Sequence, residues 1–270
     1  MPLSPLADAP PGPKPIYALL ELPRVLHEMS LLLPADRYLR SLGGGQGEPV
    51  MVLPGFAADD YSTAILRKYL KIWGFDARPW GIGQNLNPNE MTDTESAVEQ
   101  IEGNLEKLAV LLQALKTETG QKVALIGWSL GGIVSRQLAS RYPDRVSKVI
   151  TMGTPFGDFR STVVYPLLQR WLKSEVTTED MKTWSSLTNA PIGNVPLTVI
   201  YSNSDGFVPP ANARSARSDV IEFIEVVCSH VGFGVNPVVF KLLANRLQQD
   251  VNQWRAFEPA LLERLLYRTA

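Results

Sequence analysis

Apolar residues in this chain follow two rhythms between Val50 and Gln249. Short runs such as Val123-Ala124-Leu125-Ile126 and Leu197-Thr198-Val199-Ile200-Tyr201 are largely apolar at consecutive positions, and longer stretches between them carry apolar residues every third or fourth position. The first rhythm marks strands covered on both faces, the second amphipathic helices. The expected strands are Val50 to Leu53, Asp76 to Trp80, Lys122 to Gly127, Val146 to Thr151, Pro196 to Ser202 and Val220 to Val227. Helices are expected at Tyr61 to Trp73, Thr94 to Thr119, Leu130 to Tyr142 and Pro237 to Gln249. Such alternation requires crossover connections, and hence an α/β fold with a mainly parallel sheet of about six strands and helices on both faces.

Two segments break the rhythm. Between Gly153 and Pro196 no strand pattern occurs, while Val164, Leu167, Leu168, Trp171 and Leu172 form a helical stripe and Met181 and Trp184 add large apolar groups. A helical insertion over 154–195 reads either as an extra helix on the core or as a lid over an apolar pocket. Near the start, Leu22, Val25, Leu26, Met29, Leu32 and Leu33 share one helical stripe, with Pro23 in the first turn and Pro34 closing it. Glu21, Arg24, His27 and Glu28 interrupt the run and leave it too short to span a bilayer. The expectation is an amphipathic helix docked on the body, with transient interfacial membrane contact or a partner surface as the other reading. Met1 to Pro15, rich in Pro and Ala, reads as a leader without the basic region of a secretory signal. The expected division is thus an N-terminal arm and helix over 1–47 and an α/β domain over 48–270.

Composition narrows the chemistry. A chain of 270 residues, 45% hydrophobic and 20% charged, is neither disordered nor in need of a disulfide or metal staple. Twenty-six Lys and Arg against 27 Asp and Glu give a net charge of -1, so no long-range field draws nucleic acid or an acidic membrane. The single cysteine, Cys228, makes no intrachain disulfide and suits a reducing, cytoplasmic compartment. With two histidines and one cysteine, the usual zinc ligand sets are out of reach, so chemistry without a metal or cofactor is expected.

The candidate chemistry converges on Ser129. Gly127-Trp128-Ser129-Leu130-Gly131 follows an apolar strand and opens a helix pattern, the setting of a nucleophile elbow. A strand that turns this sharply into a helix holds its central residue in a strained conformation, so the residues two positions away must lack side chains. A serine hydroxyl needs a base, and imidazole is suited to the task near neutral pH. Of the two histidines, His27 reads as a solvated residue of the N-terminal helix, while His230 follows the last core strand in a Gly-containing loop. Asp205, in the loop after the strand Pro196 to Ser202, is the acid expected to orient it, with Asp219 in reserve. The backbone N–H groups of Leu130 and of Phe56, after the first strand, are the expected oxyanion donors. Trp128, Phe156, Phe159, Trp171 and Trp184 are the aromatic candidates for an apolar substrate pocket, although each also reads as ordinary core.

Through Leu53-Pro54-Gly55-Phe56, the Gly127 to Gly132 elbow, Ser202 to Val208 and Ser229 to Pro237, the chain resembles the α/β-hydrolase superfamily, in particular its bacterial lipase and esterase-like branch. The resemblance implies Ser129 as nucleophile, Asp205 as acid, His230 as base and Phe56 with Leu130 as oxyanion donors. It implies a small-molecule or lipid ester substrate cleaved through an acyl-enzyme, without a cofactor. Two features depart from the pattern: Pro54 stands where many lipases have His before the glycine, and no antiparallel hairpin is evident before Val50. An acyltransferase would use the same residues, and a non-enzymatic small-molecule receptor can occupy the same fold. A dehalogenase is disfavoured because its elbow carries Asp.

Overall fold

The computed structural model describes residues 8–171, 175–214 and 218–269, without the side chain of Trp171. Residues 1–7 of the expected leader and Leu172 of the insertion stripe lie outside the described residues. The sheet has seven strands, β1 (Pro49–Leu53), β2 (Asp76–Pro79), β3 (Val123–Trp128), β4 (Val146–Met152), β5 (Leu197–Tyr201), β6 (Ile221–Val226) and β7 (Tyr267–Thr269). Their order is β2-β1-β3-β4-β5-β6-β7; the first six run parallel, and β7 pairs antiparallel with β6. The six expected strands are all present within a residue or two. The seventh is a three-residue edge strand, too short to leave a periodicity in the sequence.

Helices cover both faces: α1 (Pro15–Leu19), α2 (Glu21–Arg40), α3 (Ala64–Ile72), α4 (Thr94–Thr119), α5 (Leu130–Arg141), α6 (Tyr165–Trp171), α7 (Thr178–Thr188) and α8 (Pro237–Gln248). Because successive side chains on a strand point to opposite faces, β1 sends Met51 and Leu53 into one core and Val50 and Val52 into the other. The first core joins Leu105, Leu108 and Leu112 of α4 to Ile133, Val134 and Leu138 of α5. The second joins Leu66 and Leu70 of α3 to Val239, Phe240 and Leu243 of α8, and Leu39 of α2 belongs to it. Local signals fix the long helix α4: the side chains of Asp93 and Ser96 form a reciprocal capping box at its start, and Gly120 closes it in the left-handed conformation at φ 69°.

The N-terminal helix departs from expectation in length and in facing. It runs through Pro34 to Arg40 instead of stopping at the proline. Tertiary contacts of its last turns offset the lost backbone bond: Leu39 is buried, its carbonyl accepts Trp73 Nε1–H at 2.7 Å, and Asp36 accepts the Tyr69 hydroxyl at 2.7 Å. The apolar stripe does not face inward as a unit. Leu22 and Leu33 are 68% and 84% exposed, whereas Glu21 and Glu28 are 5% and 7% exposed. Among the described residues, no helix is long and apolar enough to cross a membrane.

Strand order places the site. The chain leaves β1 for β2 on one side and then crosses to β3 on the other, so the connections after β1 and β3 diverge at their carboxyl ends. Such a switch point opens a crevice for ligands. Phe56 follows β1 and Ser129 follows β3, at the two lips of that crevice.

Candidate active site

Ser129 is held in a conformation that L-residues rarely adopt, φ 53° and ψ −120°. Its N–H donates to the Met152 carbonyl of the neighbouring strand at 2.8 Å, and its carbonyl accepts Gly132 N–H at 3.0 Å. The turn is tight enough that a Cβ on Gly127 would lie 2.4 Å from the Gly131 carbonyl oxygen, and one on Gly131 would lie 2.4 Å from the Leu53 carbonyl oxygen. Both glycines are therefore required by backbone approaching backbone, which is the reason for the spacing read from the sequence. Leu130 is the first residue of α5, where helix N–H groups have no intrahelical partner.

Asp205 and His230 meet although 25 residues separate them. His230 Nδ1 lies 2.8 Å from Asp205 Oδ2, with both residues buried. The other carboxylate oxygen accepts Phe207 N–H at 2.7 Å and Val208 N–H at 2.8 Å, so the acid cannot swing away from the imidazole without losing two bonds. The ring lies nearly parallel to Phe207, with centroids 4.9 Å apart and planes at 22°. Gly153, at φ 57°, passes so close that a Cβ there would be 3.1 Å from both His230 Nδ1 and Asp205 Oδ2. The reserve acid Asp219 is exposed just before β6, and His27 is exposed on α2.

Ser129 and His230 line one cavity of about 100 Å³. Phe56 and Leu130 line it too. One wall is the insertion, through Phe159, Thr162, Val164, Leu168 and Trp184. The opposite wall comes from the start of α4 and the loop before it, through Leu86, Met91, Ala97 and Ile101. That second wall has no signal in the sequence: Ala97 and Ile101 sit on a helical stripe that looks like ordinary core, and Leu86 and Met91 lie in a loop without periodicity. Two aromatic candidates lie elsewhere. Trp128 turns away from the cavity and donates its Nε1–H to the His230 carbonyl at 3.1 Å, and Phe156 is buried beneath the Arg136 guanidinium at 5.4 Å. The side chain of Trp171 lies outside the described residues.

Other residues hold the site together without a motif to announce them. Buried Asn85 donates to the Pro54 carbonyl at 2.8 Å, while its backbone exchanges bonds with Ala57 and Ala58, which fixes the loop that carries Phe56. Glu21 accepts the N–H groups of Gly206 at 2.8 Å and His230 at 2.9 Å on one oxygen, and that of Val231 at 3.3 Å on the other. Glu28 accepts Ser229 N–H and the Ser229 hydroxyl, each at 2.8 Å. Arg24 donates to the Ser204 carbonyl and, at 2.8 Å, to the Ser204 hydroxyl. In the sequence these three charges interrupt an apolar stripe; their i, i+3, i+7 spacing on one helix face is the signal that could have shown them acting together.

Residues 48–171 match a protein family described as alpha/beta hydrolase fold. Among curated proteins, the chain is 30% identical over 86 residues to a pimeloyl-[acyl-carrier protein] methyl ester esterase of Vibrio campbellii, a match covering 30% of this chain and 34% of that protein. The chain thus spans about a third of that relative's length. Among solved structures, Aspergillus fumigatus lipase B aligns with TM-score 0.54 and 20% identity over 77% of this chain and 55% of that one. The mature form of Bacillus licheniformis lipase BlEst2 aligns with TM-score 0.52 and 20% identity over 76% and 94%.

Proposed function

We propose that this chain, which has the α/β-hydrolase fold, cleaves carboxylic esters of small apolar acids, with Ser129 as nucleophile, His230 as general base and Asp205 as the acid that orients it. The observation that carries the reading is the buried 2.8 Å contact between His230 Nδ1 and Asp205 Oδ2, on an imidazole that shares a cavity with Ser129. With Nδ1–H engaged by the carboxylate, Nε2 is left as the proton acceptor.

In this mechanism His230 Nε2 takes the Ser129 hydroxyl proton as Oγ attacks the ester carbonyl carbon. The carbonyl oxygen becomes an oxyanion, for which the N–H groups of Leu130 and Phe56 are the proposed donors. Collapse breaks the bond to the alkoxy group, which leaves as an alcohol with the proton from His230. Water then gives a proton to His230 and attacks the acyl-enzyme, and return of that proton to Ser129 Oγ releases the carboxylic acid. Asp205 stabilises the imidazolium formed in each half and keeps the ring in one orientation.

Cavity size sets the substrate class. A volume of about 100 Å³ lined by Leu86, Met91, Ile101, Leu168 and Trp184 suits a short apolar acyl chain. Longer chains require the insertion to move outward. The test is turnover of nitrophenyl esters from acetate to palmitate. The expected result is highest kcat/KM for acyl chains of a few carbons and a steep fall beyond; a flat or rising profile to long chains contradicts the substrate class. Failure to cleave any ester contradicts the reaction.

A further inference from the structure

The N-terminal helix α2 carries its charges and its leucines on the wrong sides for a helix that merely packs. Leu22, Leu26 and Leu33 face solvent while Glu21 and Glu28 are buried. Burying a carboxylate is costly unless it is hydrogen-bonded, and exposing leucines forgoes apolar burial. Departures of this kind from sequence-level expectation concentrate at functional sites.

The buried carboxylates have a common target. One oxygen of Glu21 accepts Gly206 N–H from the loop that carries Asp205 and also His230 N–H from the loop that carries the imidazole. That atom ties together the two strand ends whose side chains form the 2.8 Å acid–base contact. One turn before Glu28, Arg24 pins Ser204 in the acid loop, and Glu28 pins Ser229 beside the histidine. Two glycines record how closely the helix approaches. A Cβ on Gly206 would sit 2.7 Å from Glu21 Oε1, and one on Gly232 would sit 1.4 Å from Glu28 Oε2. Gly206 and Gly232 have no positive φ to require a glycine; what excludes a side chain is the Tyr17 carbonyl of α1 together with Glu21 at Gly206, and Glu28 with the neighbouring Ser229 hydroxyl at Gly232.

We propose that Glu21, supported by Arg24 and Glu28, is a positioning residue that sets the spacing between the Asp205 loop and the His230 loop from outside the substrate cavity. This rests on the reading of Asp205 and His230 as the acid and base. Glu21 does not line the cavity, so its removal changes the alignment of the base and leaves the substrate walls intact.

The test measures the pair directly and through catalysis, in the full-length chain with Glu21→Ala and Glu21→Gln. An imidazole N–H bonded to a carboxylate gives a far-downfield proton resonance, and His230 is the only described histidine so bonded. His27→Gln, at an exposed position, identifies the signal by leaving it in place. We expect Glu21→Ala to broaden or abolish the signal and to lower kcat by about 10- to 100-fold, with KM for a short-chain ester within about twofold because uniform binding is untouched. Glu21→Gln keeps one acceptor oxygen, retains part of the signal and loses less activity, and it decides the matter if the alanine variant does not fold. A folded variant with an undiminished signal and kcat overturns the proposal, as does a rise in KM with kcat unchanged. If the wild-type chain hydrolyses no ester, the functional reading fails, and the resonance alone decides: its loss in Glu21→Ala upholds the clamp and its persistence overturns it.

Discussion

The elbow at Ser129 and the clamp at Glu21 serve the same site by opposite means. At the elbow the motif is local, with Gly127, Ser129 and Gly131 within five residues, and the close contacts are backbone against backbone, inside the turn at Gly127 and against the Leu53 and Pro54 carbonyls at Gly131. At the clamp the partners are distant, Glu21 and His230 being 209 positions apart, and the closest contact, at Gly232, is the Glu28 side chain against backbone. A backbone collision has no relief short of moving a strand, whereas a side-chain collision is relieved by removing the side chain. The elbow is therefore rigid by chain geometry, whereas the acid and base loops are held by exchangeable partners.

The largest expected effect tests the link between the two regions. Asp205→Asn preserves the shape of the acid loop but lets the imidazole adopt the wrong tautomer, and kcat should fall by about 10⁴-fold. Steady-state kinetics on a short-chain ester check this; a loss under tenfold would remove Asp205 from the mechanism. Next is the elbow glycine. Gly131→Ala forces a Cβ onto the Leu53 carbonyl and should destabilise the fold by about 3 kcal/mol, measured by urea unfolding. No single side-chain truncation nearby should restore it. Gly232→Ala forces a Cβ onto Glu28 and should cost about 2 kcal/mol. Here a double-mutant cycle with Glu28→Ala should show coupling of about 1 kcal/mol, because the second change removes the nearer obstacle and leaves only the Ser229 hydroxyl, 2.4 Å away. Strict additivity would mean that the collision is with something other than Glu28. The smallest effect lies in the cavity wall: Trp184→Ala should shift preference toward longer acyl chains by about tenfold in relative kcat/KM, the scale of one methylene in an apolar pocket.

Local features of the chain are legible in its sequence, and those that depend on distant partners are not. The strand pattern, the elbow, and the order Ser129, Asp205, His230 are carried by residues whose neighbours in sequence are their neighbours in space, or by strand ends that the fold class aligns. Phe159 and Trp184 line the cavity, and the break in the strand–helix rhythm points to the insertion that bears them, although the sequence leaves open whether it is lid or core. Trp128 and Phe156 do not line the cavity, and neither placement is legible in the sequence because it does not reveal which way an aromatic side chain points. The facing of α2 is not legible either: hydrophobic periodicity predicts leucines inward, and only the N–H groups of distant loops, at Gly206, Ser229 and His230, for which Glu21 and Glu28 are the acceptors, explain why the glutamates turn in instead. The run of α2 through Pro34 and the edge strand β7 likewise depend on contacts with Trp73, Tyr69 and β6 that no local pattern encodes.

The most direct measurement of the central claim is covalent labelling with a fluorophosphonate, followed by mapping of the modified peptide. The native chain should carry one adduct, on Ser129, and Ser129→Ala should carry none while keeping its circular dichroism spectrum. An unlabelled native chain, or an adduct on any other residue, would contradict the assignment of Ser129 as nucleophile.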